Sequence, residues 1–315
     1  MPPDEPLFDS PEELVQAYQA GGFQGYLPSE KDREEFLATN PVRAFTAPTS
    51  GAGKRALLWG YVLQLDPKAF SERQTVGDCV SHGSRNARDC ERAVSCLVRG
   101  EAEDWYKRTA TEPTYGARGH GGEGMSPARA SQFERDVGFC PREDYPGVAD
   151  LSVYNGSLGA GWGRQGGVPK AVQELCQRNK VGTIALVRTV DDAMSALFNG
   201  YGIHSGQMAA WSNKPSGNIH PRVSPGWAHD MATVGYDDTK EYWPFTVFFI
   251  ANSWGRWNTP VPDWPASYPP QVPGMIVTKA DDWSTCVRSG DCWAYSDVQG
   301  FPARALPDLG SIRRI

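Results

Sequence analysis

Helix-period and strand-period patterns are segregated along this chain, and the segregation limits the folds open to it. From Cys79 to Leu97 the residues Val80, Gly83, Ala87, Cys90, Val94 and Leu97 recur at spacings of three and four, with Arg85, Arg88, Asp89, Glu91 and Arg92 between them. This spacing predicts an amphipathic helix buried along one face and closed by Gly100. A shorter helix is expected near Ala128 to Asp136. Strand signals dominate the second half: VGTIALV (Val181 to Val187), HDMATVGY (His229 to Tyr236) and FTVFFIAN (Phe245 to Asn252) are apolar, β-branched or aromatic runs bounded by Gly, Asp or Pro. One helix, Asp191 to Asn199, is expected between the first two strands. The order describes an α+β chain, with a helical lobe over about residues 79–165, a sheet-rich lobe over about 181–300, and a cleft where they meet.

At 315 residues the chain is long enough for one domain of two lobes. A net charge of −6, with no basic stripe interleaved by aromatics, argues against a nucleic-acid groove. No apolar run approaches the ~20 residues needed to cross a bilayer. The acidic start MPPDEPLFDSPEEL lacks the basic end and apolar stretch of a secretory signal, so a cytoplasmic or virion-associated chain is expected. Seven cysteines, an odd number, read as reduced thiols more readily than as a disulfide framework, although Cys286 and Cys292 bracket a short loop and could pair. With no CxxC spacing and five scattered histidines, neither a metal nor another cofactor is expected.

Residues 1–70 read as a leading extension of open role, and 71–315 as the main domain. Asp9 or Ser10 before Pro11 and Glu12, with Leu14 and Tyr18 following, predicts a short helix. The TSGAGKR stretch is not a phosphate loop, because Pro48 stands where the first glycine belongs and Arg55 where a magnesium-binding hydroxyl belongs. Two Pro- and Trp-rich stretches, Ser212 to Trp227 and Trp257 to Gly274, read as irregular surface insertions. With the leading extension, they are the candidate surfaces for protein assembly.

The chemistry concentrates in three segments. Cys79 opens the long helix, with Asp78 placed to cap it, so the thiol falls in the first turn, where free amides and the helix dipole favour a thiolate. His229 opens one strand and Asn252 ends another. If the two pair antiparallel through DDTKEYWP, the Asn252 amide oxygen can hold one ring nitrogen and leave the other for the thiol. Trp254 would shield that bond. Gln74, five residues before Cys79, could join the Cys79 backbone N–H in an oxyanion hole. His82 is a rival base on the same helix face, ranked lower because no amide or carboxylate partner is evident for it. Taken singly, each of these residues is as readily structural; the thiol, imidazole and amide in that chain order point to a Cys/His/Asn hydrolase.

The order Gln74, Cys79, His229 with Val234-Gly235-Tyr236, then Asn252-Ser253-Trp254-Gly255, resembles the papain-like cysteine peptidases over about Arg73 to Val298. The resemblance implies a papain-like fold with a helical lobe, an antiparallel sheet or barrel lobe, and an active-site cleft between them. It also implies hydrolysis of peptide or amide bonds in peptide or protein substrates through an acyl-enzyme on Cys79, with His229 as acid/base, Asn252 orienting it and Gln74 as oxyanion donor. Gly121 and Gly122 of GHGGEG are similar to the family's glycine loop that binds substrate backbone, with Trp254 completing the expected substrate-binding set, and GFCPREDYPG resembles its Gly-x-x-x-Glu-x-x-Tyr-Pro stretch.

The departures are equally specific. Val80 replaces an aromatic residue, the Gln74–Cys79 spacing is one residue short, and Asp230 follows the histidine where a small residue is usual. On an alternating strand Asp230 is expected to point away from His229. A proline-rich insertion replaces the family's second Gly-Trp-Gly, and the leading extension does not resemble its propeptide. These features resemble divergent bacterial and bacteriophage members. Two alternatives therefore stand beside the peptidase: a papain-fold structural or assembly protein, for example a phage virion component, and a peptidoglycan-cleaving Cys/His hydrolase.

Overall fold

The computed structural model describes residues 25–99, 107–304 and 306. The Ser29 hydroxyl accepts the Asp32 N–H at 3.1 Å and starts α1 (Glu30–Thr39), a polar helix whose Phe36 is fully buried edge-on to Trp293. A short strand, β1 (Arg55–Leu57), leads straight into α2 (Leu58–Leu65), which buries Leu58, Trp59, Tyr61 and Val62. The long helix α3 (Cys79–Arg99) follows. Next come α4 (Glu112–Gly116), α5 (Pro127–Asp136), the hairpin β2 (Asp144–Tyr145) and β3 (Ala149–Asp150), α6 (Gly156–Arg164) and α7 (Lys170–Cys176). These close a small core of their own around Phe133, Cys140, Leu151, Trp162 and Val172.

The remainder builds one sheet. It contributes β4 (Thr183–Leu186), α8 (Val190–Phe198), β5 (Ile203–Gln207), the short pair β6 (Ala210–Trp211) and β7 (Arg222–Val223), β8 (His229–Asp237), β9 (Val247–Ala251), β10 (Ile276–Lys279), α9 (Ala280–Arg288) and β11 (Cys292–Ser296). The strands run β10-β9-β8-β5-β11-β4, with β1 also on β8, and every pairing is antiparallel. Every residue of β8 is buried, because α3 packs along it, which is why its sequence reads as an almost unbroken apolar run. The α+β architecture of a helical lobe, a sheet lobe and a helix between them agrees with the sequence. No helix among the described residues is long and apolar enough to cross a membrane.

Three expectations change. The packing does not divide at residue 70: β1 is hydrogen-bonded to β8, and Phe36, Trp59 and Tyr61 belong to the sheet lobe's core. The helix start expected near residue 10, and Gly100, lie outside the described residues. Helix α3 is not buried along one face only. Arg85, Arg88, Asp89 and Glu91 are buried as well, paired with Glu72, Glu134, Thr109 and Arg304 respectively. Charges so placed are tolerated because each has an opposite or hydrogen-bonding partner. The Pro- and Trp-rich stretches are irregular but not superficial. Trp227, Trp257, Val261, Tyr268 and Val272 enter the main core, and His220 ties the first stretch to the second through the Thr259 carbonyl and to β10 through the Val277 N–H. Cys286 and Cys292 are free thiols, whereas Cys140 and Cys176 lie with sulfurs 2.9 Å apart.

Candidate active site

Three chain ends converge on Cys79: the start of α3, the entry to β8 and the exit from β9. Strands β8 and β9 pair across residues 238–246 with Ala232 opposite Ala251 and Tyr236 opposite Phe248, so His229 comes beside Asn252. His229 Nε2 lies 2.9 Å from Asn252 Oδ1, which also accepts the Ser253 N–H at 2.7 Å. An amide oxygen only accepts, so Nε2 carries the ring proton and Nδ1 is left with its lone pair. Trp254 stacks on the imidazole at 4.3 Å and 28°, with Trp227 and Trp257 behind it. At 1% exposure Trp254 roofs the ring; it is not a wall open to substrate.

The sulfur and the ring are not hydrogen-bonded to each other. Cys79 Sγ accepts the Asp230 backbone N–H at 3.4 Å, and His229 Nδ1 has no partner. Burial pushes the thiol well above its ordinary range, with the nearby Asp230 carboxylate adding to the effect, and burial lowers the imidazole to about 4. In this conformation both groups are neutral near pH 7.

The cause lies in the leading segment. Residues 25–27 run as an extended strand across the cleft. The Met125 N–H donates to the Gly25 carbonyl at 2.8 Å, the Leu27 N–H donates to the Met125 carbonyl at 3.0 Å, and the Tyr26 N–H reaches the Ala228 carbonyl at 3.3 Å. A Cβ on Gly25 would lie 2.5 Å from Cys79 Sγ, so this segment can pass over the sulfur only as glycine. Cys79 is fully buried beneath it. Nothing in the local sequence around Gly25 signals this contact.

The other candidates fall as follows. Gln74 is fully buried: its backbone N–H donates to the Ser253 carbonyl at 2.9 Å, its side-chain oxygen accepts the Ser253 hydroxyl, and its amide nitrogen donates to the Val76 carbonyl at 3.1 Å. It is thereby clamped beside Asn252, with one amide hydrogen uncommitted. Asp78 does not cap α3 with its side chain. Oδ2 accepts the Tyr154 hydroxyl at 2.8 Å, Oδ1 has no partner, and the backbone carbonyl takes the His82 N–H. His82 has the carboxylate that its sequence context did not reveal, Asp78 Oδ2 at 3.5 Å from Nε2, and packs edge-on to Tyr154. That placement ties it to the Asp78–Tyr154 pair. Asp230 points away from His229 as the strand alternation requires, and meets His204 Nδ1 at 3.0 Å; burial raises its carboxyl to about 6. Gly121 and Gly122 are exposed, and a Cβ on them would meet only Arg164 and His120 respectively. The backbone that grips the covering strand is that of Met125, three residues further on. Among the described residues no cluster of His, Cys, Asp or Glu could hold a metal ion.

No known family's sequence profile matches the chain, and no curated protein matches it. Solved structures do. Over 94% of this chain and 61% of the other, it superposes on the cysteine protease and lectin-like domains of Cwp84, a surface-layer-associated protein of Clostridium difficile, with a TM-score of 0.54 at 14% identity. Xylellain, a cysteine protease from Xylella fastidiosa, is similar over 94% of this chain and 96% of its own, with a TM-score of 0.48 at 14% identity. Procathepsin L 3 of Tenebrio molitor is similar over 90% and 87%, with a TM-score of 0.48 at 13% identity. The likeness to the Cwp84 structure shows that this chain has the papain-like fold.

Proposed function

We propose that this chain is a papain-like cysteine peptidase captured with its cleft covered by its own leading segment. The observation that carries the reading is the His229–Asn252 hydrogen bond under Trp254. It fixes the ring with its proton on Nε2 and offers Nδ1 as the proton acceptor, on a residue whose neighbour's amide touches the Cys79 sulfur. Departure of residues 25–27 admits water, relieves the burial that holds both groups neutral, and lets the thiol proton pass to Nδ1. The thiolate then attacks a peptide carbonyl. The developing oxyanion meets the backbone N–H at the start of α3 and the free amide hydrogen of Gln74. The imidazolium returns its proton to the departing amine, and water, deprotonated by the same ring, releases the acid and regenerates the thiol.

A second reading, a papain-fold protein that binds without turnover, is favoured by one observation: Cys79 is fully buried by its own chain. Reaction of the full-length Tyr26→Ala chain with an epoxide probe, followed by peptide mapping, separates the two. The peptidase reading expects the label on Cys79, slowed at least ~100-fold by His229→Ala, together with hydrolysis of members of a peptide library that Cys79→Ala abolishes. Labelling at Cys79 that ignores His229, with no peptide cleaved, establishes the binding reading instead.

A further inference from the structure

We infer that Cys140 and Cys176 are a covalent modification site: they join as a disulfide that staples the helical lobe, so the stability of this lobe follows the redox poise around the chain. Their sulfurs lie 2.9 Å apart, inside the ordinary contact distance of two unbonded sulfurs, and both side chains are fully buried in the lobe's small core. The backbone makes this approach without help from the sulfurs. Gly138 has a φ of +110°, and a Cβ on it would lie 2.2 Å from the Cys176 carbonyl oxygen, so the chain passes the end of α7 only as glycine. The Asn179 N–H donates to the Cys176 carbonyl and the Phe139 N–H donates to the Asn179 carbonyl, each at 2.9 Å. On its other side the Cys140 carbonyl accepts the Ala110 N–H, also at 2.9 Å. Two thiols 36 residues apart are thereby held against each other by glycine packing and backbone hydrogen bonds.

The segment between them explains what a staple does there. Strands β2 and β3 have two residues each, and α6 and α7 have nine and seven. Elements this short bury little apolar area, and small cores gain most from a cross-link. The same segment carries Tyr154, whose hydroxyl accepts the Thr75 N–H at 3.0 Å and donates to Asp78 Oδ2 at 2.8 Å. The covalently closed loop therefore includes the group that braces the turn ahead of Cys79.

The oxidant is a small-molecule disulfide, for which oxidised glutathione serves as the probe. Cys176 is the last residue of α7 and is followed by the exposed Gln177 and Arg178, so opening of this short helix frees its thiol first. Its thiolate attacks one sulfur of the reagent, expels a thiolate and leaves a mixed disulfide on Cys176. The Cys140 thiolate then attacks the Cys176 sulfur and expels the second thiolate. Two protein thiols give up two electrons and two protons, and the reagent leaves as two thiols. In the closed chain the hydrogen bond with Cys140, together with burial, raises the Cys176 thiol well above its ordinary range, so exchange proceeds through the opened helix.

To test this, the full-length chain is equilibrated with oxidised glutathione or with a phosphine reductant. Each sample is quenched in acid, alkylated in urea and digested without reduction for mass mapping. A peptide cross-linked between Cys140 and Cys176 is expected in the oxidised sample alone. Urea unfolding of the two samples in mildly acidic buffer, where thiol exchange is slow, should place the oxidised midpoint about 1 M above the reduced one. Cys140→Ala, treated identically, should give coincident midpoints. The inference is overturned by alkylation of both Cys140 and Cys176 after oxidation, by a cross-link from either to a different cysteine, by a midpoint that the cross-link leaves unmoved, or by an equal shift in Cys140→Ala. Oxidised and reduced samples are one and the same chain, so their comparison decides the matter even where Cys140→Ala does not fold.

Discussion

His229 and His204 stand on paired strands of one sheet, both fully buried, and have opposite partners. His204 is occupied at both nitrogens: Nδ1 lies 3.0 Å from each oxygen of Asp230, and Nε2 lies 3.2 Å from the Tyr295 hydroxyl. His229 is occupied at one nitrogen only, by an amide. A carboxylate commits its imidazole to a fixed electrostatic role. An amide fixes the ring's direction and tautomer while leaving its charge free to change. Asp230 follows His229 in sequence yet serves His204, because adjacent residues of a strand face opposite ways. On the proposed peptidase reading, the histidine with the neutral partner and the idle nitrogen is the one equipped for chemistry, and the other holds the fold.

The largest expected effect separates these roles. Either Cys79→Ala or His229→Ala should lower kcat/KM on a cleaved peptide at least ~1000-fold while leaving the urea midpoint nearly unchanged. His204→Ala should do the reverse. It strands a buried Asp230 carboxylate and costs about 3–5 kcal/mol of stability, read as a lowered urea midpoint. If His204→Ala is the more damaging to catalysis in chains that remain folded, the contrast is wrong.

Next comes pH. A histidine held at about 4 in the folded chain, below its ordinary 6.5, contributes stability that is present above pH 6.5 and lost as pH falls toward 4. The full shift corresponds to about 3 kcal/mol. Asp230, raised to about 6, acts with opposite sign, since its protonated form favours the folded chain as pH falls below 6. The His229 contribution is therefore read as the difference between wild type and His229→Gln, in which Asp230 is common to both. As pH drops from 6.5 to 4 the wild-type urea midpoint should fall further than that of His229→Gln, and parallel curves would refute the burial argument.

Two smaller tests sharpen the comparison. A Cβ at Gly83 would lie 1.9 Å from Asp230 Oδ1, so α3 clears the His204 pair only as glycine, and Gly83→Ala should cost about 1–3 kcal/mol, again read in urea. Asn252→Asp gives His229 the kind of partner His204 has. The acid limb of the kcat/KM profile should move up by about one pH unit, with roughly tenfold lower activity at neutral pH. An unmoved limb would mean that His229 does not titrate in the reaction.

Much of this arrangement was legible in the sequence. Cys79, His229 and Asn252 sit at the ends of elements with strong periodic signals, so the positions of their side chains follow from where helix and strands begin and end. The rest depended on partners far along the chain. The charged face of α3 reads as solvent-facing until Glu72, Glu134 and Arg304 arrive from elsewhere to pair with it. His82 has its carboxylate in Asp78 because the helix turn and Tyr154 bring the two together. The glycines at 121 and 122 drew attention as a loop composition, whereas the gripping backbone at Met125 has no compositional mark. The covering strand was invisible for the same reason, since Gly25-Tyr26-Leu27 has no periodicity and its place is set by docking. The two Trp-rich stretches read as superficial because proline breaks their pattern, although their aromatic rings fill the sheet lobe's core.

The central claim is that Cys79 is the nucleophile and that the strand over it is a removable cover. Trapping the acyl-enzyme tests both together: the full-length chain and its Tyr26→Ala variant are mixed with an activated ester of a tyrosine-containing peptide, quenched in acid, and read by intact mass and peptide mapping. The account predicts one acyl group per chain, on the peptide containing Cys79, formed faster in Tyr26→Ala than in wild type and absent from Cys79→Ala. An acyl group mapped to any other residue, or formation equally fast with and without Tyr26, would contradict it.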